Sequence, residues 1–219
     1  MRAAIFDMDG TLVSSLDLHI QAYLNVCKTH NLQMGRDFVK MRFGMTAMEI
    51  FAEFAAQNEF DIDAEQLAKE KFSEFDRIAQ NIALLPGATE LLESLRADGM
   101  RIALASGSGR LNVDTVVNRA GLKRYFDATV AGDEVSKGKE FPDIWLQALK
   151  LLQPPKGVPI EPGECIVFED AYYGAKSAKE AGMMVVGVLT GYTTSEELGP
   201  IRDFLLNRLG EFENVSKQI

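Results

Sequence analysis

Residues 3 to 12 read AAIFDMDGTL: four apolar residues, two aspartates one residue apart, then a glycine suited to a tight turn. A short apolar run closed by a turn signal reads as a strand buried on both faces. It ends on two carboxylates whose like charges repel, so a cationic partner must meet them at the edge of the core. Side chains of an extended segment alternate, which lets Asp7 and Asp9 face the same space.

Four similar runs follow: RIALA (101–105), ATVA (128–131), CIVF (165–168) and MVVGV (184–188). Helical spacing falls between them in Ala88, Leu91, Leu92 and Leu95, in Val113, Val116, Val117 and Ala120, and in Trp145, Ala148, Leu149 and Leu152. Alternation of this kind predicts an α/β fold, a Rossmann-like parallel sheet with helices on both faces.

About 80 residues separate the first strand from the helix preceding the second, too many for a loop. Within them Leu16, Ile20, Tyr23, Leu24 and Cys27 share a helical face. Thr46 and Glu49 form a capping box before Met48, Phe51, Ala52 and Ala55. A third stripe of Ala68, Phe72, Phe75, Ala79 and Ile82 follows an N-cap at Asp63. The spacing predicts a small all-helical cap domain over 14–85, a candidate lid closed by the turn pair Pro86 and Gly87. Residues 1–13 and 86–219 form the core. QPPKGVPIEPGE (153–164) reads as a proline-rich surface loop, and 211–219 as a polar, loosely held tail.

The 219 residues are 47% hydrophobic and 25% charged, the balance of an ordinary folded domain. With 23 basic and 32 acidic residues the net charge is −9, which repels a phosphodiester backbone. No nucleic-acid partner is expected, and no membrane partner either, because no apolar run approaches a bilayer span and no charged leader precedes the first strand. The expected address is the cytoplasm and the expected state a monomer. Cys27 and Cys165 read as small buried hydrophobes.

Ligands of an open parallel sheet bind beyond the carboxyl ends of its strands. Asp7, Asp9, Gly10 and Thr11 follow the first strand, Ser106, Gly107 and Ser108 the second, and Glu169 and Asp170 the fourth. Lys139 stands in the loop after the third, ahead of a helix opened by Pro142. Hard oxygen ligands suit Mg²⁺ above zinc, since the only histidines, His19 and His30, both lie in the insert. One carboxylate can accept a phosphoryl group while the second handles the proton. Lys139 with Ser106 and Gly107 can hold the non-bridging phosphoryl oxygens.

DMDGT (7–11), LASGS (104–108), KEFPD (139–143) and FEDAYYGAKSAKEAGM (168–183) resemble, in order, the four motifs of the haloacid dehalogenase-like hydrolases. The insert resembles the cap of the subfamily containing phosphoglucomutase-like sugar phosphatases. The resemblance implies a Mg²⁺-dependent phosphatase of a small phosphorylated metabolite, a sugar or polyol phosphate. It implies Asp7 as nucleophile, Asp9 as acid and base, and Ser106, Gly107 and Lys139 as phosphate-binding residues. The implied metal set is Asp7, Asp170, Asp9 through its backbone carbonyl, and Glu169 nearby. Thr11 and His19 are candidates for the substrate side.

Departures from the pattern bear on function. Ser14 stands where relatives carry an aspartate, Glu140 follows Lys139 in place of proline, and Ala171 replaces a capping serine. Ala47 stands where β-phosphoglucomutases carry the arginine that grips a second phosphate. That disfavours a phosphomutase, which stays as the alternative, with a non-catalytic phosphometabolite- or partner-binding module as the alternative of another class. Tyr172 and Tyr173 are expected to serve packing and His30 to be plain surface, while Gly44 reads either as a loop glycine or as one permitting close approach to substrate at the inner surface of the lid.

Overall fold

In a computed structural model, residues 1–43, 45–191 and 193–216 are described. Gly44 lies outside them. The strands are β1 Ala3–Phe6, β2 Arg101–Ser106, β3 Ala128–Ala131, β4 Cys165–Glu169, β5 Met184–Val188 and β6 Phe204–Leu206. All pairings are parallel, in the order β3-β2-β1-β4-β5-β6. The α/β fold expected from the alternation is present, and β6 is an edge strand that the periodicity missed.

The helices are α1 Leu16–Thr29, α2 Arg36–Lys40, α3 Ala47–Asn58, α4 Ala64–Ile78, α5 Ala88–Ala97, α6 Arg110–Arg119, α7 Asp143–Leu151, α8 Tyr172–Glu180, α9 Ser195–Leu198 and α10 Phe212–Ser216. Alternation along β1 divides the core between the two faces of the sheet. Ala4 and Phe6 join the cluster under α5 and α6, while Ala3 and Ile5 join the one under α7 and α8. Cys165 is buried in the second.

Helices α1 to α4 follow β1 and pack on a cluster of their own, centred on Ile20, Tyr23, Ile50, Phe51, Phe54 and Leu67, with Cys27 among them. Their starts obey local chemistry. The Thr46 hydroxyl accepts from Glu49 N–H while the Glu49 carboxylate accepts from Thr46 N–H, and Asp63 accepts from Gln66 N–H at 2.9 Å. The third stripe ends earlier than its spacing suggests, because α4 stops at Ile78 and Ala79 caps it. Two chain segments connect these helices to the sheet side by side: Ser14 N–H donates to the Ala83 carbonyl and Leu85 N–H to the Leu12 carbonyl, each at 2.9 Å.

The tail departs from expectation. Phe212 is buried and meets Phe168 edge to face at 5.1 Å, and Phe168 stacks flat on Phe6 at 4.4 Å. Three rings thus support the strand ends from below. Among the described residues no helix is long and apolar enough to cross a membrane.

Candidate active site

The parallel registers bring the ends of β1, β2 and β4 to one rim. Phe6 pairs with Leu104 on one side and Phe168 on the other, so Asp7, Ser106 and the Glu169–Asp170 pair emerge together. Asp7, Glu169 and Asp170 each offer an oxygen within 4.8 Å of the others, and all three are buried. Gly10, at φ +91°, lets the chain turn against them; a Cβ there would stand 2.5 Å from Asp170 Oδ2.

Lys139 enters this cluster from the loop before α7. Its ammonium contacts Asp7 Oδ1 and stands 2.7 Å from Glu169 Oε2. Burial alone would lower the lysine pKa, but the two carboxylates outweigh it and hold the cation firmly protonated. Its backbone is pinned as well: Ser177 Oγ donates to the Lys139 carbonyl at 2.6 Å and accepts from Trp145 Nε1 at 2.8 Å.

One lysine offsets only part of three carboxylates. Burial, then the charge of Asp7, pushes Glu169 up to about 7 against the pull of Lys139. Burial, Asp7 and Glu169 together raise Asp170 well above the ordinary carboxylate range. A buried, charge-deficient pocket of hard oxygens fits a divalent cation such as Mg²⁺. Asp7 and Asp170 are the side chains that would hold it, Lys139 meeting the first and Thr11 the second at Oδ1. Glu169 Oε1 accepts from Asp170 and Ala171 N–H, at 3.1 and 2.9 Å, and its other oxygen faces Lys139. Glu169 therefore orders the turn and the lysine, a nearby acid more than a ligand.

Asp9 stands apart from the cluster. Its carboxylate accepts from Ser15 Oγ at 2.5 Å and Ser108 Oγ at 2.9 Å, and His19 Nε2 lies 3.0 Å away. Burial favours its protonated form, yet His19 and the two hydroxyls outweigh burial and hold its pKa below the ordinary range. Asp9 is thus pulled both ways on its proton.

Most of the residues singled out from the sequence line one cavity of about 990 Å³: Asp7, Asp9, His19, Ser106, Gly107, Lys139, Glu169 and Asp170. Thr11 does not. It is fully buried and donates to Asp170 Oδ1 at 2.9 Å, so it positions an acid and has no substrate-facing surface. Ser14 is exposed and its neighbour Ser15 reaches Asp9. His30 pairs with Glu70 at 2.6 Å. Tyr172 and Tyr173 are a correction: they are 39% and 51% exposed and line the cavity mouth. Helix α8 starts directly on them after the Asp170 turn.

Three participants went unread in the sequence: Ser15, Ser108 as an Asp9 partner, and Lys71. Lys71 was findable, since it sits three residues after Ala68 and four before Phe75, on the apolar face of α4. A lysine on such a stripe is a signal.

A parallel sheet carrying this acidic rim under an inserted helical layer defines a haloacid dehalogenase-like enzyme. The family described as haloacid dehalogenase-like hydrolase matches residues 4–188, and the chain belongs to it. The chain is 31% identical over 208 residues to Protein CbbY of Rhodobacter capsulatus, covering 90% of this chain and 89% of that one. It is 28% identical over 221 residues to the phosphorylated carbohydrates phosphatase of Thermotoga maritima, covering all of both. Among solved structures, a hydrolase from Pseudomonas syringae superposes with a TM-score of 0.86 at 25% identity, over 100% of this chain and 98% of the other.

Proposed function

We propose that this hydrolase is a Mg²⁺-dependent phosphatase of a small phosphorylated metabolite, a sugar or polyol phosphate, working through an aspartyl-phosphate on Asp7. The observation that carries the reading is the convergence of Asp7, Glu169 and Asp170 within 4.8 Å, with Lys139 against Asp7 and Asp9 held apart on its own partners. The kinship with a phosphorylated carbohydrates phosphatase supports the substrate class.

The incoming phosphate dianion raises the Asp9 pKa above its resting value, so Asp9 takes up a proton as substrate binds. An Asp7 carboxylate oxygen then attacks phosphorus, the bond from phosphorus to the ester oxygen breaks, and Asp9 gives that proton to the departing alkoxide. Asp9, now ionised, takes a proton from water. The water oxygen bonds to phosphorus, the bond to Asp7 breaks, and phosphate leaves. Lys139 and the Ser106–Gly107 turn hold the non-bridging oxygens. When bound by Asp7 and Asp170, Mg²⁺ supplies charge neutralisation for the incoming phosphoryl group. Residues 14–85 act as a cap that excludes water over the rim. We place the enzyme in the cytoplasm as a monomer.

No arginine is among the described residues lining the cavity, and Ala47 occupies the first turn of α3 at its wall. A second phosphate therefore lacks its fork-shaped partner, which opposes a mutase. The test assays wild type and Asp7→Asn against phosphorylated sugars and polyols, with and without Mg²⁺, and follows products by phosphorus NMR. Free phosphate from wild type with Mg²⁺, and none from a folded Asp7→Asn, is the expected result. Turnover by Asp7→Asn, or an isomeric ester without free phosphate, overturns the reading.

A further inference from the structure

The cavity over Asp7 has two chemistries. Its floor is charged and hydrogen-bonding, built from Asp7, Asp9, His19, Ser106, Lys139 and Asp170. Its wall is apolar and polarizable: Phe43, Met45, Met48 and Phe72 from the insert face the same space as Tyr172 and Tyr173 from the start of α8. At about 990 Å³ the whole space is at the top of the roughly 300–1,000 Å³ range of pockets that enclose drug-sized molecules.

Large apolar side chains held in water beside a reaction centre mark a ligand contact. Met48 is 50% exposed, and the two tyrosine rings meet edge to face at 5.3 Å. Recognition of sugar hydroxyls needs uncommitted donors and acceptors. Several of the wall's polar groups are spent locally. Thr46 is closed in its capping box with Glu49, Glu197 in another with Thr194, and Glu65 pairs with Lys69 at 2.7 Å. What the wall offers besides Asp37 and the Tyr172 and Tyr173 hydroxyls is ring faces, ring edges and thioethers, which suit a flat π-system.

We propose that the alcohol part of the substrate is a short hydroxylated chain ending in a planar aromatic ring system. The phosphate sits at Asp7 and the ring rests between Met48 and the Tyr172–Tyr173 pair. The inference rests on the phosphatase reading above and adds no chemical step, since the same phosphorus–oxygen bond breaks.

Matched pairs test it: FMN against ribitol 5-phosphate, and adenosine 5′-monophosphate against ribose 5-phosphate, each with Mg²⁺. In at least one pair the ring-bearing ester is expected to have a kcat/KM higher by about tenfold or more, carried by KM, as stacking of one ring system provides. The double variant Met48→Ala/Tyr173→Ala should bring that ratio toward unity. Equal or reversed ratios in both pairs overturn the inference, as does a preference the double variant leaves unmoved. Calorimetry of the same four compounds with Asp7→Asn reads binding without turnover. Tighter binding of a ring-bearing ester by an enzyme that hydrolyses none of them keeps this inference and removes the phosphatase reading. Hydrolysis of the plain sugar phosphates with no tighter binding of either ring-bearing ester does the opposite.

Discussion

The ammonium of Lys71 lies 2.8 Å from Nδ1 of His19, both side chains are buried, and among the described residues no carboxylate pairs directly with the lysine. The Tyr23, Phe72 and Phe75 rings surround it at 5.0 to 5.4 Å. Burial pushes the Lys71 pKa down to about 8 from 10.5, against the attraction of Asp9. Through Nδ1 the lysine also directs His19 to present its other nitrogen toward Asp9.

A cation disfavoured by the folded state destabilises that state wherever it is charged. Between about pH 8 and 10.5 the unfolded chain binds more protons at this position, so the lysine's contribution to stability rises with pH. Lys71→Met should therefore stabilise the protein near pH 7 by up to about 3 kcal/mol, a gain that fades as pH climbs through that window. Denaturant unfolding of wild type and variant at pH 7, 9 and 10.5 measures the difference. A variant less stable at pH 7 would show that the lysine is well accommodated. Activity should fall in the same variant, the usual trade at a strained site.

Phe212 closes the aromatic column under the rim, stacked through Phe168 onto Phe6. Truncating a buried ring removes apolar area and leaves a void, so Phe212→Ala should cost about 3 kcal/mol in equilibrium unfolding. A loss below about 0.5 kcal/mol, the scale of surface substitutions, would return this segment to the loose tail that its polarity suggests.

The contrast between that segment and β1 shows what the sequence can carry. AAIF is apolar throughout because both faces of a central parallel strand are covered, and its register delivers Asp7 and Asp9 with nothing else needed. Phe204–Leu206 is a three-residue edge strand among charged residues, too short to show a period. Ser15 escaped attention beside Ser14 because a linker has no repeat to say which hydroxyl turns inward. Ring chemistry alone predicts packing for Tyr172 and Tyr173, because rings usually serve burial, and only the start of α8 beside the cavity places them in water.

Ser177 is fully buried and joins α7, α8 and the Lys139 loop through one hydroxyl. Ser177→Ala strands the Trp145 N–H and the Lys139 carbonyl, and a buried unpaired polar group costs about 1–3 kcal/mol. Lower unfolding stability is expected together with a raised KM, because the loop that sets Lys139 loosens. An unchanged KM in a destabilised variant would confine Ser177 to a structural role.

Asp9 tests whether hydroxyls govern its proton. Burial, the strongest influence on it, favours the neutral acid, while His19, Ser15 and Ser108 favour the carboxylate and prevail. Removing the Ser108 hydroxyl weakens the winning side, so Ser108→Ala should move the Asp9 pKa up toward its ordinary 3.8. A carboxylate with a depressed folded pKa adds stability that is complete above its unfolded value and disappears as pH falls through the folded one. Wild type should therefore exceed Ser108→Ala by about 1.5–3 kcal/mol at pH 7, the worth of a hydrogen bond to a charged group. The gap should hold to about pH 5 and narrow below the ordinary carboxylate range, as protonation removes what the hydroxyl supported. Carbon-detected NMR titration of the Asp9 carboxyl gives the shift directly. A pKa that stays put in Ser108→Ala would assign control of that proton to His19 and Ser15 alone.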